Sequence, residues 1–262
     1  MKRNKGWYAT QRSLSFFVLF SLTSVSFSQN IDSTKVVSHF GGAVTVTNKG
    51  ISLIPNLTLG KPAAIFDLSV GKKRISFEPQ FRFALEGKPW TFIFWWRYKI
   101  VEGKKFRMNI GAHPAFAFKT ITFENDTVPQ EIIRVQRYLA GEIVPTYALS
   151  KNIGVGIYYL PSVGLQDDGV KYTNYLGLRF YFSNIRLSDK YYLRFNPQVY
   201  YLRMDSDDGI YANATLFLAR HNFPLSVSAL VNRTIQTDIP VGEDFIWNIS
   251  LTYSFNNDYV VK

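Results

Sequence analysis

Three histidines, His39, His113 and His221, are the residues of this sequence best suited to acid–base chemistry. On a strand, a serine two residues after a histidine lies on the same face and can be activated as a nucleophile. The residues at that spacing are Gly41, Ala115 and Phe223. The histidine spacing therefore argues against a serine hydrolase, and we expect that the chain is not an enzyme.

Metal and thiol chemistry are equally weakly indicated. The chain has no cysteine, which excludes disulfides and a lipid attached to an N-terminal cysteine. Its histidines do not cluster with acidic residues at metal-ligand spacing. The acidic run at 205–209 (DSDDG) lacks the glutamate of a calcium loop and is typical of a hairpin turn. We therefore predict no metal and no cofactor.

Charged and polar residues recur at every second position over long segments. In segment 74–86 they alternate with an apolar set that includes Phe77 and Phe81. Segments 190–202 and 244–255 repeat the pattern. Alternation with a period of two residues predicts strands that have one polar and one apolar face.

These strands are too long for a soluble β-sandwich. They run to 11–13 residues, whereas strands of globular proteins average about 5 to 6 residues and tilted membrane-spanning strands have roughly 9 to 11. Aromatic residues reach 16% of the chain, as lipid-facing barrels with aromatic girdles require. We therefore predict an all-β fold, a closed antiparallel transmembrane β-barrel, in preference to a sandwich.

Turn residues predict about 12 strands, with 10 or 14 as alternatives. Breaks rich in Gly, Pro or Asn separate the strands, and the longer breaks fall on alternate connections, as expected for short periplasmic turns and longer external loops. The predicted strands are 50–59, 63–71, 74–86, 90–101, 105–119, 132–149, 152–162, 171–183, 190–203, 209–220, 225–235 and 244–255. The barrel domain would then be 50–262. Residues 29–49 would be a periplasmic lead-in or a lumen segment, although 36–47 could also form an extra strand.

The N-terminus predicts export. Residues 1–28 combine a basic start, an apolar run at 14–27 and small residues Ser26 and Ser28, which together are typical of a signal peptide cleaved after Ser28. The formal net charge of +11 stays basic without this segment. We expect the bacterial outer membrane as the location, with membrane lipids, the outer-membrane insertion machinery and anionic small solutes as partners, and no nucleic acid.

The polar strand faces define the residues that would line the lumen. Basic residues outnumber acidic ones by eleven to four in this set: Arg74, Arg82, Arg97, Lys99, Lys105, Arg107, Lys119, Arg134, Arg179, Lys190 and Arg194, against Asp67, Glu78, Glu86 and Glu142. Such a lumen would attract anions. The sequence therefore predicts a narrow anion-preferring pore for small or acidic solutes. The alternative is a closed structural or interaction barrel, plugged by pairs of these charges.

Eight of these residues, together with Trp95 and His113, are candidate lumen and solute contacts. They are Arg82, Arg97, Arg107, Arg134, Arg179, Arg194, Glu78, Glu142, Trp95 and His113. Trp90, Trp96 and Tyr98 are predicted to face lipid as an interfacial girdle, whereas Trp95 would point inward. A membrane-embedded lipid hydrolase is a further alternative, disfavoured because no His-x-Ser is present.

Residues 50–83, 87–99 and 111–118 resemble outer-membrane β-barrel proteins of Bacteroidota. The resemblance implies the fold and the outer-membrane location but no reaction, since that family largely lacks an assigned function. One feature departs from the usual pattern. Barrels commonly end on an aromatic residue that the insertion machinery reads, whereas Phe255 is followed by seven residues. Either Phe255 is read internally or Tyr259 extends the last strand.

Overall fold

A computed structural model of the chain describes residues 37–123, 130–240 and 242–260. In this part of the chain, 12 antiparallel strands pair in sequence order, and β1 pairs with β12 to close a barrel. The strands are β1 Val37–Thr47, β2 Ala63–Lys72, β3 Ile75–Ala84, β4 Pro89–Glu102, β5 Phe106–Phe123, β6 Gln130–Ala148, β7 Ile153–Gly164, β8 Tyr172–Arg186, β9 Tyr191–Met204, β10 Asp207–Arg220, β11 Leu225–Thr237 and β12 Phe245–Val260. The predicted fold class and strand number are confirmed.

The first predicted strand is wrong. Residues 50–59 do not form a strand, and β1 is Val37–Thr47, so the barrel begins at residue 37 instead of 50. Pro55 lacks the N–H that a strand ladder needs, and it starts a short 3₁₀ turn, Pro55–Leu57. In β1, by contrast, Gly42 permits close pairing, since a Cβ atom there would lie 2.6 Å from the backbone oxygen of Asp67.

The two chain termini of the barrel lie at one end, which we call the terminus end. Val37 at the start of β1 pairs with Val260 at the end of β12. β12 therefore includes Tyr259, which extends the last strand as one of the two alternatives proposed. The predicted signal peptide, residues 1–28, lies outside the described residues.

Connections at the opposite end, which we call the loop end, include the longest in the barrel. They include 48–62, 165–171 and 238–244, whereas the terminus end carries the short turns 73–74 and 103–105. This is the asymmetry expected of an outer-membrane barrel whose termini face the periplasm.

Apolar side chains face outward and polar side chains face the lumen. On β12, Trp247 and Leu251 are 49% and 51% exposed, while the intervening Ser250 is buried. Outward apolar residues continue around the barrel and form a surface suited to lipid tails. No helix among the described residues is long and apolar enough to cross a membrane.

Candidate functional site

Arg97 on β4 lies at the centre of a charged network in the lumen. Its Nε donates to Glu142 Oε1 on β6 at 2.6 Å, and its guanidinium forms an ion pair with Glu78 on β3. Arg97 and Glu142 meet across β5 because their common register partner is Gly111. A Cβ atom at Gly111 would lie 3.0 Å from Glu142 Oε1 and 3.1 Å from Arg97 Cγ. The glycine therefore leaves the space that the ion pair uses.

Glu142 connects this network to the far wall of the barrel. The residue is 4% exposed and accepts a hydrogen bond from the Tyr158 hydroxyl at 2.8 Å. The Arg179 guanidinium lies 3.8 Å from the Tyr158 ring centroid, and Arg179 Nε donates to Gln198 Oε1 at 2.8 Å. These contacts form a continuous polar chain from β3 to β9.

Two further candidates, Trp95 and His113, pack beside Arg97. The guanidinium lies 4.3 Å from the Trp95 ring centroid, and the Trp95 and His113 rings are 4.0 Å apart. Both side chains are buried, as expected for inward-facing residues. Among the residues that the structure describes, no group of three or more His, Cys, Asp or Glu could hold a metal.

Arg82 lies nearer the loop end than Arg97 does, beside Trp90. The structure corrects the prediction for Trp90. Arg82 donates to Gln80 Oε1 at 3.0 Å and lies 5.4 Å from the Trp90 ring centroid. Trp90 is 3% exposed and does not belong to the outer girdle. A β-bulge shifts the register between Arg82 and Phe83, so that Trp90 and Thr91 both turn away from lipid.

The charges in the middle of the lumen are balanced. Three cations there, Arg82, Arg97 and Arg179, equal in number the three acids Asp67 on β2, Glu78 on β3 and Glu142 on β6. Of these cations, Arg97 forms ion pairs with Glu78 and Glu142, whereas Arg82 and Arg179 hydrogen-bond to Gln80 and Gln198. The eleven-to-four excess expected from the sequence is therefore not found at this level. Four members of that set lie in connections outside the strands: Arg74, Glu86, Lys105 and Lys190.

The remaining candidates lie towards the two ends. Arg134 forms an ion pair with Asp168 at the loop end. Arg107 and Arg194 occupy inward positions near the starts of β5 and β9, at the terminus end, and both are exposed. Of the ten predicted residues, the structure brings together Arg97, Glu78, Glu142, Trp95 and His113, with Arg179 joined through Tyr158. Arg82 lines the same cavity as Arg97, Trp95 and His113.

The connection 48–62, which we call the β1–β2 segment, folds into the lumen at the loop end. Leu53 and Ile54 pack against a buried apolar cluster on the barrel wall. The backbone oxygen of Leu57 accepts a hydrogen bond from Trp90 Nε1 at 2.8 Å. At the rim, Lys49 pairs with Glu243 at 2.9 Å. These contacts hold the segment across the lumen.

The apolar cluster contains a row of four tyrosines that sequence reasoning missed. Tyr158, Tyr175, Tyr200 and Tyr211 come from β7, β8, β9 and β10, and successive ring centroids are 5.6, 4.8 and 5.0 Å apart. Ile239 from the β11–β12 connection also packs there. The signal was present, since each tyrosine occupies a position on the polar face of its strand.

A cavity of about 280 Å³ lies between the β1–β2 segment and the barrel wall. Leu53 and Ile54 of the segment line it on one side, and Trp95, His113 and Tyr158 line it on the other. The lumen is thus narrowed but not filled.

The closed barrel, lipid-facing exterior and polar lumen define a porin-like class of membrane β-barrel. No family model matches the sequence, and no curated protein matches it. Among solved structures, the chain is similar to the KdgM porin, with a TM-score of 0.51 and 10% identity over 82% of this chain and 99% of that chain. The COG4313 outer membrane channel from Pseudomonas putida F1 gives a TM-score of 0.48 at 8% identity, covering 84% and 95% of the two chains. At this identity, the KdgM likeness establishes the outer-membrane barrel fold alone.

Proposed function

We propose that the chain is a narrow channel for small solutes in the bacterial outer membrane. The observation that carries this proposal is the cavity of about 280 Å³ inside a closed barrel with an apolar exterior. The channel is narrow because the β1–β2 segment and the Arg97 network both occupy the lumen. The same proposal includes a bacterial origin in Bacteroidota and cleavage of a signal peptide after Ser28. It also includes membrane lipids and the outer-membrane insertion machinery as partners.

An anion preference would arise at the terminus end of this channel. The central charges balance, whereas Arg107 and Arg194 are exposed on inward positions near the periplasmic mouth. Cations at a mouth with low-dielectric walls raise the local concentration of anions. We therefore propose a preference for small anions that Arg107 and Arg194 set, with no nucleic-acid partner.

Reversal potentials in planar bilayers under a potassium chloride gradient test this assignment. We expect the purified barrel to conduct and to prefer chloride. The double variant Arg107→Gln, Arg194→Gln should lose most of the preference and keep the conductance. Arg203→Gln is the matched control, since Arg203 is an exposed arginine on the outward face of the same strand as Arg194. Cation preference of the unmodified barrel would contradict the proposal.

A closed structural barrel is the second candidate, and a specific observation favours it. The β1–β2 segment is tied to the wall by Leu53, Ile54 and the Trp90–Leu57 hydrogen bond. If these contacts never open, the barrel conducts nothing. Absence of conductance steps in bilayers that contain folded protein would support this candidate over the channel. The hydrolase alternative receives no support, because His113 packs on Trp95 and has no serine two residues on.

A further inference from the structure

The cavity beside the β1–β2 segment has one wall with unsatisfied polar groups. Thr91 Oγ1, His113 Nδ1 and Arg82 Nε lie buried there without a hydrogen-bond partner among the described residues, as does Tyr175 Oη on another wall, and all four residues line the cavity. Thr91 and His113 are 6% and 7% exposed. Buried polar side-chain atoms almost always have a partner in folded proteins. Four such atoms around one cavity indicate that a bound solute or water completes their hydrogen bonding.

The other walls of the cavity are aromatic. Trp95, Tyr138, Tyr158 and Tyr175 contribute to its lining. A sugar ring in the chair form has an apolar C–H face, which packs on aromatic rings, and a rim of hydroxyls that both donate and accept hydrogen bonds. Aromatic rings bury large apolar area in contacts of this kind. The cavity, at about 280 Å³, lies just below the range of roughly 300–1,000 Å³ for drug-sized ligands, so that one ring fits better than an oligomer.

Hydrogen-bonding capacity on the polar wall is mixed. The Arg82 Nε–H can only donate, the Thr91 hydroxyl can donate and accept, and His113 Nδ1 does one or the other according to its tautomer. A carboxylate would use donors only, whereas a polyol uses both kinds. A wall that offers both donors and acceptors therefore favours the hydroxyl groups of a polyol over a carboxylate.

Charge around the cavity also favours a neutral molecule. Arg97 is neutralised by Glu142 and Glu78. Arg82 lies on β3 next to the strand that carries Asp67, whose register partner is Gln80. The two cations beside the cavity, Arg82 and Arg97, are thus outnumbered by the three acids Asp67, Glu78 and Glu142, and burying a further negative charge there is unfavourable.

We propose that this cavity is a binding site for a single neutral sugar ring, held by Thr91, His113 and Arg82 on one side and by the aromatic wall around Trp95 on the other. The proposal deepens the channel function and rests on it for its biological role. The β1–β2 segment covers the site from the loop end through Leu53 and Ile54.

Isothermal titration calorimetry of the full barrel in detergent micelles, with glucose and glucuronate as paired probes, tests the site. The two probes share one ring and differ by a carboxylate. We expect saturable binding of glucose at one site per chain, and binding of glucuronate about tenfold weaker or more because its charge is buried uncompensated. Tighter binding of glucuronate, or no saturable binding of glucose, would overturn the proposal.

Variants separate the site from unspecific effects. Thr91→Val keeps the shape of the side chain and removes its hydroxyl, and it should weaken glucose binding about five- to tenfold. Thr215→Val is the matched control on an inward position of β10, outside the cavity lining, and should bind as the unmodified barrel does. Circular dichroism checks that both variants fold. Unchanged binding by a folded Thr91→Val variant would refute the assignment.

Bilayer recordings on the same preparations distinguish this proposal from the channel. Conductance without glucose binding would sink the sugar site and leave the channel standing. Glucose binding without conductance would support the site and overturn the channel.

Discussion

Glu142 is the side chain on which the Arg97 network depends most. It is almost fully buried and accepts hydrogen bonds from Arg97 and Tyr158. Glu142→Gln removes the charge and leaves Arg97 with Glu78 as its remaining acid. We expect the free energy of unfolding to fall by about 2 kcal/mol, since a charged hydrogen bond in a partly buried site is lost. Guanidinium chloride titration of the barrel in detergent micelles measures the change.

Glu78→Gln is the matched control for this prediction. Glu78 contacts the same arginine, but its side chain is 27% exposed, whereas that of Glu142 is 2% exposed. Water therefore compensates more of the lost interaction, and the decrease in unfolding free energy should be about half as large or less. A larger loss for Glu78→Gln than for Glu142→Gln would show that burial does not decide the strength of these pairs.

At the residue scale, the sequence predicted which face of the sheet a side chain occupies better than it predicted which side chains contact each other. Strict alternation determines which side of the sheet a residue occupies, so all ten candidate residues lie on inward positions. The meeting of Arg97 and Glu142 depends on the register across Gly111, which alternation does not encode. Trp90 was placed outward because a single β-bulge, invisible in the pattern, changes the parity at that point.

At the element scale, the β1–β2 segment is the part of the chain that narrows the lumen. Gly50 N donates to Lys61 O at 2.8 Å, and Gly60 N donates to Gly50 O at 3.1 Å, so the two ends of the segment meet. Excision of residues 51–59 therefore leaves ends that can be joined directly. We expect the shortened barrel to fold and to show several-fold higher single-channel conductance, because Leu53 and Ile54 no longer occupy the lumen.

Glu243→Gln serves as the control for the excision. It breaks the rim ion pair with Lys49 and leaves the apolar contacts of Leu53 and Ile54 in place. Conductance should stay at the level of the unmodified barrel. An excised barrel that folds and conducts no better than this control would mean that the segment does not limit passage.

The same segment explains the one strand that the sequence misplaced. Residues 50–59 carry apolar residues at intervals that fit a strand, but their burial is against Tyr158 and Tyr175 inside the lumen instead of against lipid. A lumen lining with tyrosines is itself apolar, so hydropathy alone cannot distinguish the two destinations. The run at 37–47, rich in glycine and β-branched residues, fits the closing strand because β2 and β12 approach it closely on both sides.

At the scale of the whole molecule, the sequence predicted the barrel, its strand number and its end-to-end asymmetry. These properties follow from long-range repetition of one pattern, which survives local errors. The sequence did not predict how charge is distributed along the lumen, since a count of inward residues ignores their depth, that is, their position along the barrel axis. Depth places Arg82, Arg97 and Arg179 level with acids, and leaves Arg107 and Arg194 near the mouth.

The most direct test that the outer wall lies in lipid is whether the cost of a charge depends on its depth in the bilayer. Ile249 is the middle residue of the exposed apolar run on β12, and Tyr259 lies on the same face near the strand end. An arginine at the middle of a bilayer costs about 2–4 kcal/mol, and about 0–1 kcal/mol near the interface. We expect Ile249→Arg to lower the free energy of unfolding of the barrel in lipid vesicles by the larger amount and Tyr259→Arg by the smaller. Equal effects of the two substitutions, measured by denaturant titration in vesicles, would mean that this wall faces water, because only a bilayer makes the cost of a charge depend on its position along the strand.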